Sequence, residues 1–339
     1  MLKNEAGIDA LKTAMENDYR VFGGPVKLGE KLASFRRASS GLCKVHHVPK
    51  FSLKPEEKIY TVGSCFARNV EIALRNLGIS LVTDGIVYPY QWVDPRHTQA
   101  KKMIEEGNIH LFETRTALNR YSTHSMTYDF DRVFSGTSSL ESTTYKLSDD
   151  KYWDPQVKNI IQGDIEHTKE VRNILDRNIN AAKKSTVIIA TLGMTETWFD
   201  GETGVILPAA PGPQLIKNNP QRFRFFVANY YDVLENLKRF RKLIDTHIDP
   251  TTKIIITTSP IPLGSTFTSK DSIVANSRSK STLCAAAQDF AEQNELVDYF
   301  PSYEMVVNSQ YDVWYEDGVH VLAEFVDEIM ERFVGLYFG

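Results

Sequence analysis

The run Ile59-Tyr60-Thr61-Val62-Gly63-Ser64-Cys65-Phe66-Ala67-Arg68 constrains this chain most, because an apolar strand ends at a glycine and turns at once into a helix. Phe66, Val70, Ala73, Leu74 and Leu77 recur at helical spacing over 66–77, and Gly78 stands where a helix C-terminal glycine belongs. Ser64 and Cys65 are therefore expected at a helix N-terminus. Free N–H groups and the positive end of the dipole favour negative charge there, so a Cys65 thiolate or a neighbouring oxyanion is expected to be stabilised. The same pattern also suits a plain strand-turn-helix with a small buried cysteine, and the turn alone leaves both readings open.

From Lys58 onward, short β-branched runs alternate with helical patterns. Strands are expected at 59–62, 186–192 and 253–258, with a short edge strand at 296–300. Helices are expected over 164–184, 229–247, 276–293 and 321–336. That alternation predicts an α/β fold with a parallel sheet and helices on its faces. Residues 1–57 show no clear period and read as a leader packing on the core. Residues 58–339 read as one α/β domain, interrupted at about 88–158 by a Tyr-, Ser-, Thr- and His-rich stretch too long for a simple connection. This insertion is expected to be irregular and to help shape a substrate site.

With 39 Lys and Arg against 43 Asp and Glu, the net charge of −4 offers no basic footprint for nucleic acid. No signal-peptide core follows Met1, and no window approaches a membrane span of about 18 apolar residues. A cytoplasmic protein with neither membrane nor nucleic-acid partners is the expectation. Cys43, Cys65 and Cys284 fit a reducing compartment. Cys43, His46 and His47 lack further ligands at zinc spacing, so no metal site is expected.

Ligands of open α/β sheets bind beyond the carboxyl ends of the strands. There the chain places Ser64 and Cys65, then Gly193-Met194-Thr195-Glu196-Thr197-Trp198, then Ser259-Pro260-Ile261-Pro262. Asp317-Gly318-Val319-His320 stands just before the last helix. An Asp three residues before a His can accept the imidazole N–H and leave the other ring nitrogen as a base. Cys65, Asp317 and His320 can thus supply nucleophile, orienter and base, although an Asp-x-x-His turn can equally serve as a surface helix cap. Trp198 fits either a sugar-binding face or the core, and Glu196 either orients the site loop or serves as a general acid.

Gly63-Ser64-Cys65-Phe66-Ala67 resembles the signature run of the GSCFA family, a group similar to SGNH hydrolases. Thr191 to Trp198, Pro208-Ala209-Ala210-Pro211-Gly212, Thr258 to Leu263, Ser279 to Leu283 and Asp298 to Glu304 resemble that family's other blocks in the same order. The resemblance implies a three-layer SGNH/flavodoxin-like parallel sheet. In register with the Gly-Asp-Ser of SGNH enzymes, it puts Cys65, and not Ser64, at the nucleophile. It implies Gly85 as the glycine donating a backbone N–H. Gly193-Met194-Thr195-Glu196 stands in place of Gly-x-Asn-Asp, with the Thr195 hydroxyl where an asparagine amide would meet the oxyanion. The implied activity is acyl transfer or ester hydrolysis on a carbohydrate or other hydroxyl-bearing substrate, with His320 activating Cys65. No cofactor is required by the sequence, and acyl-CoA is a possible donor. The alternative is a non-catalytic carbohydrate- or ligand-binding protein on the same fold.

Overall fold

Continuous β-branched runs become the centre of the molecule. In a computed structural model, residues 7–23, 33–38, 41–94, 114–137, 140–309 and 313–339 are described. The strands are β1 (Ile59–Gly63), β2 (Tyr145–Ser148), β3 (Lys151–Trp153), β4 (Val187–Leu192), β5 (Glu196–Asp200), β6 (Ile206–Leu207), β7 (Phe223–Val227), β8 (Lys253–Thr258) and β9 (Val297–Tyr299). The helices are α1 (Gly7–Glu16), α2 (Ser34–Arg37), α3 (Cys65–Asn76), α4 (Thr123–Ser135), α5 (Leu140–Thr143), α6 (Ile165–Ala181), α7 (Pro213–Asn218), α8 (Tyr230–His247), α9 (Ser272–Glu292), α10 (Ser302–Val307) and α11 (Ala323–Tyr337).

The main sheet is parallel, in the order β1-β4-β8-β9. A parallel bridge between Ile59 and Leu81 adds a single-residue position outside β1. Counted with it, the order is flavodoxin-like, and the chain reverses its winding between β1 and β4. Every residue of β1 and β4 is buried, as expected of strands covered on both faces. Tyr60, Val62, Ile188, Ala190, Ile254 and Ile256 meet Phe130, Leu175, Phe240 and Leu283 from α4, α6, α8 and α9. On the other face Ile59, Val187, Ile189 and Ile255 share a core with Leu74, Met305, Ile329 and Phe333 from α3, α10 and α11. Each such fully buried side chain contributes about 1.5–3 kcal/mol.

Helix ends follow local chemistry. Asn229 caps α8 through a reciprocal box with Asp232, and Asp164 and Asp271 cap α6 and α9. α9 begins four residues before the spacing suggested, because Ile273 and Val274 face solvent and hide the period. From the N-terminal segment, Leu42 and Leu53 enter the core beside α11, and the Leu53 N–H donates to the Tyr337 carbonyl.

Two departures from the expected pattern shape the site. Within 88–158, residues 95–113 and 138–139 lie outside the described residues, but the remainder is not irregular. α4 packs Met126 and Phe130 into the core, and buried Arg120–Asp129 and Arg172–Asp154 pairs tie the segment down. The residues expected as a loop after β4 instead form β5, which pairs with β6 and β7 in a second, antiparallel sheet. Cross-strand aromatic contact between Trp198 and Phe225 favours that pairing. Among the described residues no helix is long and apolar enough to cross a membrane.

Candidate active site

The turn after β1 demands glycine. Gly63 has a φ of +136°, and a Cβ there would lie 2.1 Å from the Thr191 carbonyl oxygen at the end of β4. That close approach lets the Ser64 N–H donate to the Thr191 carbonyl, while the Gly63 carbonyl accepts from the Arg120 N–H at 2.7 Å. Gly193 is equally confined, since a Cβ there would lie 2.9 Å from the Ser64 Cβ and 2.7 Å from the Tyr121 carbonyl oxygen. The Gly193 and Met194 N–H groups both donate to that carbonyl. The ends of β1 and β4 and the segment 119–121 are thus locked together around Ser64 and Cys65.

They form one wall of a cavity of about 570 Å³ at the switch point of the sheet. Ser64, Cys65, Gly193, Glu196, Trp198 and His320 all line it. Ser64 is the N-cap residue of α3, but its side chain makes no capping bond, and its buried Oγ has no partner among the described residues. Asn119, Asn159, Trp198 and Ser259 also line the cavity, and each carries a buried polar atom (Oδ1, Oδ1, Nε1 and Oγ) with no hydrogen-bond partner among the described residues. Such a concentration of unsatisfied buried polar atoms is costly in a core.

Asp317 holds His320. Its Oδ1 accepts from the Val319 and His320 N–H groups, and its Oδ2 lies 2.6 Å from His320 Nδ1. Partial burial opposes the Asp317 charge, but the bonds from the His320 ring and the two backbone N–H groups outweigh it and hold the carboxyl below its usual range. The remaining ring nitrogen is left for chemistry. Among the described residues no hydrogen bond joins the His320 ring to Cys65 or Ser64, although all three line one cavity.

Two sequence-expected donors fall elsewhere. Gly85 occupies a left-handed turn (φ +79°) and is not among the cavity-lining residues. Thr195 is buried and also outside the lining; its N–H donates to Ser279 Oγ, and its carbonyl accepts from Ala228. The physical reason is the start of β5, which commits the Thr195 backbone to packing. Asn119, which the sequence did not single out, is among the cavity-lining residues instead. Its Nδ2 donates one N–H to the Tyr121 hydroxyl at 3.2 Å and carries a second. Glu196 accepts from the Thr266 hydroxyl and, at 3.0 Å, from the Phe267 N–H. It therefore ties down the loop carrying Phe267, whose ring meets Trp198 edge-on at 5.0 Å.

Electrostatics at Cys65 differ from the helix-terminus expectation. Burial pushes the thiol up to about 11, against the opposing pull of Lys280, the Cys65 and Phe66 N–H groups and Lys158. Desolvation is the larger effect even though Cys65 is only half-buried and lines the cavity. Lys280 has no exposed surface, and burial pulls its ammonium down to about 7. Elsewhere, His47 lies 3.3 Å from Asp298 and His46 stacks on Tyr19.

No curated protein and no solved structure matches the chain. A family model described as the GSCFA family matches residues 58–333, which include the four strands of the main sheet, the turn at Cys65 and the Asp317–His320 pair. The chain belongs to the GSCFA family.

Proposed function

We propose that the chain transfers or hydrolyses acyl groups on a carbohydrate or other hydroxyl-bearing substrate, through a thioester formed on Cys65. The observation that carries this reading is the cavity at the β1/β4 switch point, where Cys65 and an Asp317-held His320 share one wall system with unpartnered polar side chains. In the first step the Cys65 sulfur gives its proton to His320 and bonds to the acyl carbon. The bond to the leaving oxygen or sulfur breaks, and His320 protonates the leaving group. In the second step a water or an acceptor hydroxyl gives its proton to His320 and takes the acyl group, and His320 passes that proton to the departing Cys65 sulfur. Water makes the protein a hydrolase, and an acceptor hydroxyl makes it a transferase. An acyl-CoA is chemically suited as donor, since its thioester exchanges directly with a thiol.

The oxyanion would receive the Cys65 N–H at the start of α3 and the free N–H of the Asn119 amide. The Trp198 and Phe267 rings offer an apolar face for the ligand. Asn119→Ala is expected to lower kcat by about 10²–10³-fold, the worth of one oxyanion donor, with KM little changed. Steady-state kinetics on small activated acyl esters and acyl-CoA donors checks this. An Asn119→Ala variant with unchanged kcat removes Asn119 from the mechanism, and a wild type inert to the whole panel favours the second reading.

That second reading is a binding protein for hydroxyl-rich ligands on the same fold. It is favoured by the raised Cys65 thiol and by the lack, among the described residues, of a hydrogen bond between Cys65 and His320.

A further inference from the structure

A second cavity, of about 520 Å³, adjoins the one at Cys65. The two share Lys158, Asn159, Pro208, Ala209 and Ala210, so they are the two ends of one groove. Each end alone falls in the range of a complete small-molecule pocket, about 300–1,000 Å³. Cys65 and His320 stand at one end only. Chemistry on a small acyl acceptor needs no more than that end, and it leaves the other unused.

The neck between the ends is fixed on both sides. On one side Asn159 adopts a left-handed backbone (φ +64°), which asparagine tolerates better than most residues. Its carbonyl accepts from the Asp94 N–H at 2.9 Å, the Ile161 N–H donates to the Trp92 carbonyl at 2.8 Å, and Ile160 bridges Val93. On the other side Pro208, Ala209 and Ala210 follow β6, whose Leu207 pairs with Trp198 of β5. The Gln156 amide donates to the Ile206 carbonyl at 3.1 Å and joins the two sides. Ala209 and Ala210 bring no more than a methyl group each to the passage.

The far end is rich in amides. Gln162, Gln214 and Asn218 line it with Asn159, and Gln214 Nε2 donates to Asn218 Oδ1 at 2.9 Å. The Gln214 carbonyl oxygen and the Asn218 amide N–H groups are left without a partner among the described residues. Trp153 stands beside them, half-buried, its ring centroid 5.2 Å from that of Tyr145. Side-chain amides both donate and accept, as the hydroxyls of a sugar do, and an indole adds an apolar body with a polar edge. Lys158 and the buried Asp94 are the charged side chains lining this end among the described residues, one of each sign. A polyanion or the phosphates of a nucleotide would call for a cleft of one sign.

We infer that the groove holds a linear chain of neutral sugars, with the reacting unit at Cys65 and the following units running over Ala209 and Ala210 to the amides beyond. This rests on the acyl-transfer reading and names its acceptor, an oligosaccharide in place of a small alcohol.

The test measures binding without turnover, by calorimetry on full-chain Cys65→Ala. The probes are cello-, malto-, xylo- and chito-oligosaccharides from the monosaccharide to the hexasaccharide, with oligogalacturonates as the acidic counterpart. Ala210→Trp, which fills the neck, and Gln214→Ala, which removes an exposed amide, are compared in the same background, with thermal melts as the folding control. Affinity for at least one neutral series is expected to climb with chain length. Gln214→Ala should lower the affinity for the longer chains about 2–10-fold, the worth of one hydrogen bond, and Ala210→Trp should abolish the climb. No binding in any series, an affinity level with length, tighter binding of the acidic chains, or a climb that survives Ala210→Trp overturns the proposal. If Ala210→Trp does not fold, Gln214→Ala decides, because an unchanged affinity for the longer chains overturns it too. Length-dependent binding by a protein that transfers no acyl group keeps the groove and removes the acyl-transfer reading. Acyl turnover without length dependence keeps that reading and removes the groove.

Discussion

Cys65→Ala is expected to abolish turnover, by roughly 10⁴-fold or more, while Ser64→Ala leaves measurable activity. Both side chains line the cavity, so location does not separate them. Packing does. Ser64 is wedged against Gly193 with its backbone bonded to Thr191, and it is 2% exposed, whereas Cys65 opens further towards the cavity and meets the N–H groups at the start of α3. Removing the sulfur removes the bond-forming atom, while removing the serine hydroxyl removes a polar neighbour. His320→Ala should resemble Cys65→Ala, because members of one catalytic unit are not additive. Kinetics of the three variants on the best substrate of the panel settle the assignment, and a dead Ser64→Ala beside an active Cys65→Ala would reverse it.

The second large effect concerns the foundation of that turn. Glu71, on α3, is 1% exposed and accepts from Arg115 Nε at 2.6 Å, from Arg115 Nη2 at 2.9 Å and from the Thr61 hydroxyl, with Arg68 Nη1 at 2.7 Å. Glu71→Ala leaves two buried guanidinium groups without their counter-charge. The expected loss is about 3–5 kcal/mol, a fall in Tm of roughly 10 °C. Burial alone would raise the Glu71 carboxyl, but Arg68 and Arg115 overcome it and hold it at about 2, against 4.5 in the unfolded chain. A depressed carboxyl stabilises fully above its unfolded pKa and progressively less as pH falls through its folded one. The Tm gap between wild type and Glu71→Ala should therefore be constant from neutrality to about pH 4.5 and shrink towards pH 2. A gap of only a degree or two at neutral pH would show that the cluster does not support the turn.

How much of this was legible in the sequence depended on range. The strands at 59, 187 and 253 announced themselves because residues buried on both faces must be apolar throughout. The Asp317–His320 bond was readable because its partners are three residues apart. α4 was hidden, since its inner face mixes Met126 and Phe130 with buried Ser125, Asp129 and Arg132 that read as polar. Its Ser122–Ser125 capping box and left-handed Gly136 were the available local signals. Asn119 and Lys280 reach the site only through tertiary packing. A mid-helix lysine reads as solvated, and nothing in its neighbours in the chain says that the Gly193 and Ser259 carbonyls await it. Gly85 and Thr195 lie outside the cavity lining, and for Thr195 the reason is that register with a motif carries no information about where a new strand such as β5 turns the backbone.

The most direct test of the central claim is mass spectrometry of the whole chain after mixing with an activated acetyl ester and with acetyl-CoA, followed by peptide mapping. A covalent thioester chemistry predicts a one-acetyl adduct on the peptide carrying Cys65, absent from Cys65→Ala and discharged by a hydroxyl acceptor or by water. An adduct on Ser64, an adduct on Cys43 or Cys284 alone, or substrate turnover that persists in Cys65→Ala would contradict it.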